Sequence, residues 1–250
     1  MKKKRVILLL SGFLAILLLI TAFTVFLLFW NGILQFNNPS KEQYPVRGVD
    51  VSAYQGIIDW ELLSEQDISF AFIKATEGSS FVDERFFYNY AEAQKTNLRV
   101  GAYHFFSYDS TGEAQAAHFI RTVAKTEDML PPVIDVEFYG DKEAKPPERE
   151  QTIAQLGVMV EKLKTHYGVT PILYATEKSY QLYLAGAFPD CDIWIRSVLT
   201  SPRLSDNRNW TFWQFSNRAR LYGYSGKEAF IDLNIFYGGE QEFARYDIPY

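Results

Sequence analysis

Two carboxylates stand two residues apart in a short apolar run, Pro131-Pro132-Val133-Ile134-Asp135-Val136-Glu137-Phe138. β-Branched and aromatic residues after a Pro-Pro start read as a strand. Side chains alternate faces along a strand, so Asp135 and Glu137 point one way and Ile134, Val136 and Phe138 the other. Strand rise alone sets the two Cβ atoms roughly 6–7 Å apart. Like charges so close raise the proton affinity of one of them. One carboxyl kept protonated beside one kept ionised is the equipment for cleaving a glycosidic bond. A half-solvated sheet would also carry polar residues on one face. Carboxylates are poor strand formers, however, and something must offset their cost in so apolar a segment.

Two further segments repeat the pattern. In Gly48-Val49-Asp50-Val51-Ser52, Asp50 opposes Val49 and Val51; in Ile231-Asp232-Leu233-Asn234-Ile235, Asp232 and Asn234 oppose the three aliphatic residues. The elements that must position these groups alternate. Strands are predicted over 46–52, 69–75, 98–106, 133–138 and 170–174, and helices over 59–66, 83–96, 111–125, 148–167 and 177–184. Three strands, 193–198, 211–215 and 230–235, then follow with no clear helix between them. Such alternation implies a parallel sheet with right-handed crossovers. Eight strands with five helices suggest a closed α/β barrel that loses its helices late, with catalytic residues at the carboxyl ends of strands. An open doubly wound sheet is the other architecture this order allows, but no Gly-rich nucleotide motif accompanies it.

These segments also carry a family pattern. Arg47-Gly48-Val49-Asp50-Val51-Ser52, Gln55-Gly56 with Asp59-Trp60, Phe72-Ile73-Lys74-Ala75-Thr76-Glu77-Gly78 and Val100-Gly101-Ala102-Tyr103-His104-Phe105 come first. Asp135-Val136-Glu137, Pro171-Ile172-Leu173-Tyr174, Trp213-Gln214-Phe215-Ser216 and Ile231-Asp232-Leu233-Asn234 follow in order. Over about residues 46–237 the chain resembles the glycoside hydrolase family 25 lysozymes, which are N-acetylmuramidases. The resemblance implies a (β/α) barrel of the β5α5β3 type. It also implies cleavage of the β-1,4 bond between N-acetylmuramic acid and N-acetylglucosamine in peptidoglycan. It puts Asp50, Asp135, Glu137 and Asp232 in the active site, with Glu137 as proton donor. The family often has a Tyr after the Trp of the sixth strand; here that place falls to Val198.

Aromatic residues make up 16% of the chain. Aromatic rings pack on the apolar C–H faces of sugars while their polar tips bond hydroxyls. Tyr103, Tyr174 and Trp213 are therefore expected in the glycan groove, with Tyr54 at its rim, although each would serve equally as barrel core. Lys74 is expected to reach a substrate carboxylate or acetamido oxygen or to pair with an Asp, and Gln214 to bond sugar or hold a carboxylate. Hard cations also take oxygen ligands. Neither a metal nor a cofactor is expected here, because His104, His118 and His166 lack ligand spacing. Cys191, between carboxylates and without a partner cysteine, reads as a structural thiol.

The N-terminus is a membrane signal. Lys2-Lys3-Lys4-Arg5 precedes 25 residues, 6–30, without a charge. As a helix they span about 38 Å, enough to cross a hydrocarbon core. That run exceeds the roughly 7–15-residue core of a cleavable signal, and no small-residue cleavage site follows. The expectation is a cytoplasmic basic tail over 1–5, an anchor over 6–30, a linker over 31–45 and a catalytic barrel over 46–250 lying outside the cell membrane. Beyond the tail the chain holds 21 basic and 30 acidic residues, a net charge of −9. That disfavours a nucleic-acid partner and leaves peptidoglycan glycan strands and the membrane as the expected ones. The competing function is a glycan-binding module on the same barrel with little turnover. Binding alone has no need of an un-ionised acid beside an ionised one.

Overall fold

A computed structural model describes residues 2–35 and 37–246. The chain divides into two compact units, residues 1–36 and 37–250. The first is one helix, α1 (Lys2–Trp30). The helix is long and apolar enough, over Lys3–Trp30, to cross a membrane.

The second unit is built on β1 (Arg47–Val51), β2 (Phe70–Glu77), β4 (Arg99–Phe105), β5 (Val133–Val136), β6 (Ile172–Thr176), β7 (Ile193–Arg196), β8 (Phe212–Ala219) and β9 (Ile231–Phe236). These eight close into a barrel in the order β1-β9-β8-β7-β6-β5-β4-β2, with β1 pairing β2 to complete the ring. A two-residue strand, β3 (Phe81–Val82), lies antiparallel on the end of β2, outside the ring. All neighbours run parallel except β9, which is antiparallel to β8 and to β1. Helices α2 (Trp60–Ser64), α3 (Phe86–Ala93), α4 (Gly112–Thr122), α5 (Arg149–Tyr167) and α6 (Glu177–Ser179) fill the first five crossovers, and a short α7 (Glu240–Phe243) follows β9. This is the expected α/β barrel of five helix-bearing and three plain strands.

Several boundaries differ from the sequence expectation. The helix expected over 177–184 is a three-residue α6 continued by a π turn, Tyr180–Leu184. The helix expected over 83–96 starts three residues late, because Asp83 instead accepts from the backbone N–H groups of Ala53 and Arg85. Elsewhere capping matches the pattern. Asp59 and Thr111 accept from backbone N–H groups in the first turns of α2 and α4, and Gly168 ends α5 at φ +79°, a conformation that suits glycine.

Strand alternation separates two cores. Val49, Val51, Ala71, Ile73, Ile134, Val136, Leu173 and Ile195 belong to the larger, between strands and helices. Phe70, Phe72, Val133, Ile172, Trp194, Phe212 and Phe236 fill the barrel itself. Phe72 stacks on Trp194 with centroids 4.7 Å apart and meets Phe212 edge-on at 5.3 Å. Such pairs contribute about 0.5–1.5 kcal/mol each beyond area burial. Glycine makes room for them: a Cβ on Gly48 would lie 2.3 Å from the Phe70 ring, and one on Gly101 2.7 Å from the Phe72 ring. The result is a dry aromatic floor beneath the carboxyl ends of the parallel strands.

Candidate active site

Above that floor opens a cavity of about 420 Å³. Asp50 on β1, Asp135 on β5, Glu137 one residue past β5, and Asp232 on β9 all line it. Alternation turns each inward, and antiparallel pairing sets Asp50 opposite Asp232. Tyr54, Lys74, Tyr103, Tyr174 and Gln214 line the same cavity. Nine of the ten residues singled out by sequence thus converge.

Trp213 is the exception. It alternates with Gln214, so the two cannot both face inward. Trp213 is buried against the outer core, where its Nε1–H donates to the Ser197 carbonyl at 2.8 Å. The expectation that it lines the glycan groove is corrected accordingly. The residues missed by sequence reasoning include Trp194 and Arg196 on β7 and, from loops and strand ends, Asn217, Glu228 and Phe230. Arg196 had a readable signal, as a lone cation two residues after an inward Trp in a four-residue strand.

A hydrogen-bond frame holds the Asp50 side of the cavity. Gln214 Nε2 donates to Asp50 Oδ2 at 2.9 Å and to Asp232 Oδ2 at 3.0 Å, and its Oε1 accepts from the Tyr174 hydroxyl at 2.9 Å. Asn234 Nδ2 donates to Asp50 Oδ2 at 2.7 Å and its Oδ1 accepts from Trp194 Nε1 at 2.8 Å. Two rings therefore orient two amides, and the amides aim their N–H groups at carboxylates. Gln214 has used both its amide atoms, so it acts as a support for the carboxylates. Lys74 pairs with Glu77 at 2.8 Å, with its ammonium 4.9 Å from the Phe105 ring centroid.

Asp135 is different. It is 6% exposed, and its Oδ1 is buried without a hydrogen-bond partner among the described residues. Burial and then the neighbouring Glu137 hold its proton affinity well above the ordinary carboxylate range. Burial also raises Glu137, opposed by the Arg196 guanidinium. Asp232 is held well above its usual range by burial and by Asp50. Asp50 is raised by burial but lowered by the N–H groups of Asn234 and Gln214. Four carboxyl groups thus crowd one largely buried pocket, where burial and like charge raise proton affinity, the arrangement that favours keeping an acid protonated.

His104, His118 and Cys191 lie outside the cavity lining. His104 faces α4, bonded to Thr76 Oγ1 at 2.7 Å and Gln115 Oε1 at 3.0 Å, and burial lowers its pKa to about 4. His118 bonds the Phe81 carbonyl, and burial pushes the Cys191 thiol up to about 12.

A closed barrel with carboxylates gathered at the carboxyl ends of its strands is an architecture of glycoside hydrolases. Comparison with known proteins agrees. The pattern described as "Glycosyl hydrolases family 25" matches residues 49–224. A family 25 glycosyl hydrolase from Bacillus anthracis is similar at 58% identity and a TM-score of 0.80, covering 84% of this chain and 97% of that one. A bacterial lysozyme from Streptomyces coelicolor is similar at 29% identity and a TM-score of 0.71, over 79% of this chain and 94% of that one. The uncharacterized protein YegX of Escherichia coli K12 is 35% identical over 80% of this chain and 72% of its own length. The chain belongs to glycosyl hydrolases family 25 and is a lysozyme-like glycoside hydrolase.

Proposed function

We propose that this protein is a membrane-anchored N-acetylmuramidase that cleaves the β-1,4 bond between N-acetylmuramic acid and N-acetylglucosamine in peptidoglycan. The observation that carries the reading is the pairing of Asp135 and Glu137 in a cavity shared with Asp50 and Asp232. Similarity to Lysozyme M1 of Streptomyces globisporus, 32% identical over 77% of this chain and 68% of that protein, supports the substrate class.

In this reading Glu137 gives its proton to the glycosidic oxygen as the bond breaks. The positive charge that develops at the anomeric carbon is met by Asp135, as nucleophile or by orienting the substrate's own acetamido oxygen for internal attack. The Asp135 Oδ1, without a hydrogen-bond partner among the described residues, supports either task, since none of them competes for it. Asp50, whose charge is favoured by the Asn234 and Gln214 N–H groups, keeps the pocket anionic, and Asp232 holds sugar hydroxyls. Tyr54 and Tyr103 contact the glycan, because Tyr174 and Gln214 are engaged in bonding the carboxylate frame, and Lys74, held by Glu77, presents its charge at the cavity wall.

The division into a basic tail over 1–5, an anchor over 6–30, a linker over 31–45 and a barrel over 46–250 belongs to the same proposal. The apolar α1 and the preceding basic cluster support an N-terminus inside and a barrel outside the membrane. Purified peptidoglycan incubated with detergent-solubilised full-length protein should gain reducing ends borne on N-acetylmuramic acid. Reducing ends on N-acetylglucosamine, or none above a buffer control, would refute the assignment.

A further inference from the structure

A second groove, of about 540 Å³, adjoins the central cavity. The two share Glu137 and Arg196, whereas Asp50, Asp135 and Asp232 line the central cavity alone. That division gives the site a direction. The sugar that develops positive charge must lie against Asp135, so it occupies the central cavity. The oxygen protonated by Glu137 leaves with the other half of the strand, and the other half has the second groove before it.

We infer that this groove is a binding site for the glycan on the leaving side of the cut, beyond the first leaving sugar; the inference rests on the proposed muramidase reading. One wall is the segment 197–200, with Val198 and Leu199 presented to the groove. Leu199 is 63% exposed, an apolar side chain open to a C–H face of a sugar ring. Phe138 also lines the groove, its ring 5.8 Å from the Lys178 ammonium, itself bonded to the Glu143 carbonyl at 3.1 Å. Apolar side chains together with a polar, charged edge match the two-sided character of a pyranose.

The Leu199 wall is firmly held. Ser197 N–H donates to the Gln214 carbonyl at 3.1 Å, and Ser197 Oγ donates to the Thr200 carbonyl at 2.7 Å. Trp213 Nε1 donates to the Ser197 carbonyl. Asn37, from the segment preceding the barrel, donates through Nδ2 to both the Ser197 and Thr200 carbonyls at 3.1 Å. Asn37 and Trp213 are thus positioning residues for this wall. A groove whose wall is pinned from two other elements, β8 and the segment carrying Asn37, loses little ordering entropy when glycan binds.

The test uses one substrate with two competing cuts. A tetrasaccharide of alternating N-acetylmuramic acid and N-acetylglucosamine, with N-acetylglucosamine at a labelled reducing end, has two cleavable bonds. One cut leaves three sugars on the leaving side and the other leaves one. Mass spectrometry of the labelled products gives their ratio independently of total turnover. Leu199→Asp in the full-length protein should shift that ratio about tenfold away from the three-sugar product, the scale of a lost apolar contact in a specificity pocket. Asn37→Ala should shift it in the same direction by less, because it loosens the wall without removing the apolar contact. An unchanged ratio in Leu199→Asp, with wild type and variant both hydrolysing, would overturn the groove assignment alone. A wild type that cuts neither bond would instead overturn the muramidase reading and this inference with it.

Discussion

Replacing Asp135 by Asn should stabilise the fold while removing activity. The residue is 6% exposed, its Oδ1 has no partner among the described residues, and Glu137 adds like charge beside it. A buried acceptor without a partner costs about 1–3 kcal/mol, and more when charged. Asn keeps the shape and still leaves a polar atom unpartnered there, so the gain comes from removing the buried charge beside Glu137 and should be on the order of 1–3 kcal/mol. For a chain of this size it corresponds to roughly 2–12 °C in Tm. The sign depends on pH. The folded Asp135 is raised above its unfolded value, so the folded state holds a proton that the unfolded state has lost. Its contribution to stability is intact below the ordinary carboxylate pKa of about 3.9 and is lost as pH rises from there through the folded value. The gain from Asp135→Asn should therefore be small at pH 4 and largest at pH 8. Thermal unfolding of the detergent-solubilised full-length protein, followed by tryptophan fluorescence at both pH values, measures it. An equal gain at the two pH values, or a loss of stability at pH 8, would refute the reasoning.

Three other outcomes follow from the same geometry. Gln214→Leu should cost about 3 kcal/mol or more in urea denaturation, because it strips N–H donors from Asp50 and Asp232 and the acceptor from the Tyr174 hydroxyl; a loss under 1 kcal/mol would show that the frame is not stabilising. Hydrolysis of soluble peptidoglycan fragments should be fastest on the acid side of neutral. It should fall toward alkaline pH as Glu137 ionises and toward strong acid as its partners are neutralised, and a flat profile from pH 4 to 9 would contradict this. Protein isolated from membranes should keep residues 1–30, and protease added to spheroplasts should digest the barrel; a mature N-terminus between residues 21 and 43 would refute the anchor.

The strand–helix order and the inward carboxylates were legible because both follow local periodicity. Asp135 with Glu137, and Asp232 with Asn234, needed only the two-residue repeat of a strand. The same repeat, applied to Trp213-Gln214, would have sent the Trp outward. Aromatic content and alternation disagree there, and the structure follows alternation. What local pattern cannot supply is register between distant strands. That Asn234 donates to Asp50, 184 residues away, depends on β9 running antiparallel to β1. Arg196 and Trp194 were passed over because β7 is four residues long and reads as core on composition. The π turn at Tyr180–Leu184 is likewise set by tertiary contacts, with Tyr180 bonded to Asp206 and Arg208 from a later loop.

The central claim is that Glu137 protonates the leaving oxygen, and its amide variant tests it most directly. Glu137→Gln preserves shape in the cavity and removes the transferable proton. Reducing-end release from purified peptidoglycan should fall on the order of 10²–10⁴-fold, while sedimentation of the variant with insoluble peptidoglycan should match wild type. Near-normal release by Glu137→Gln would contradict the account.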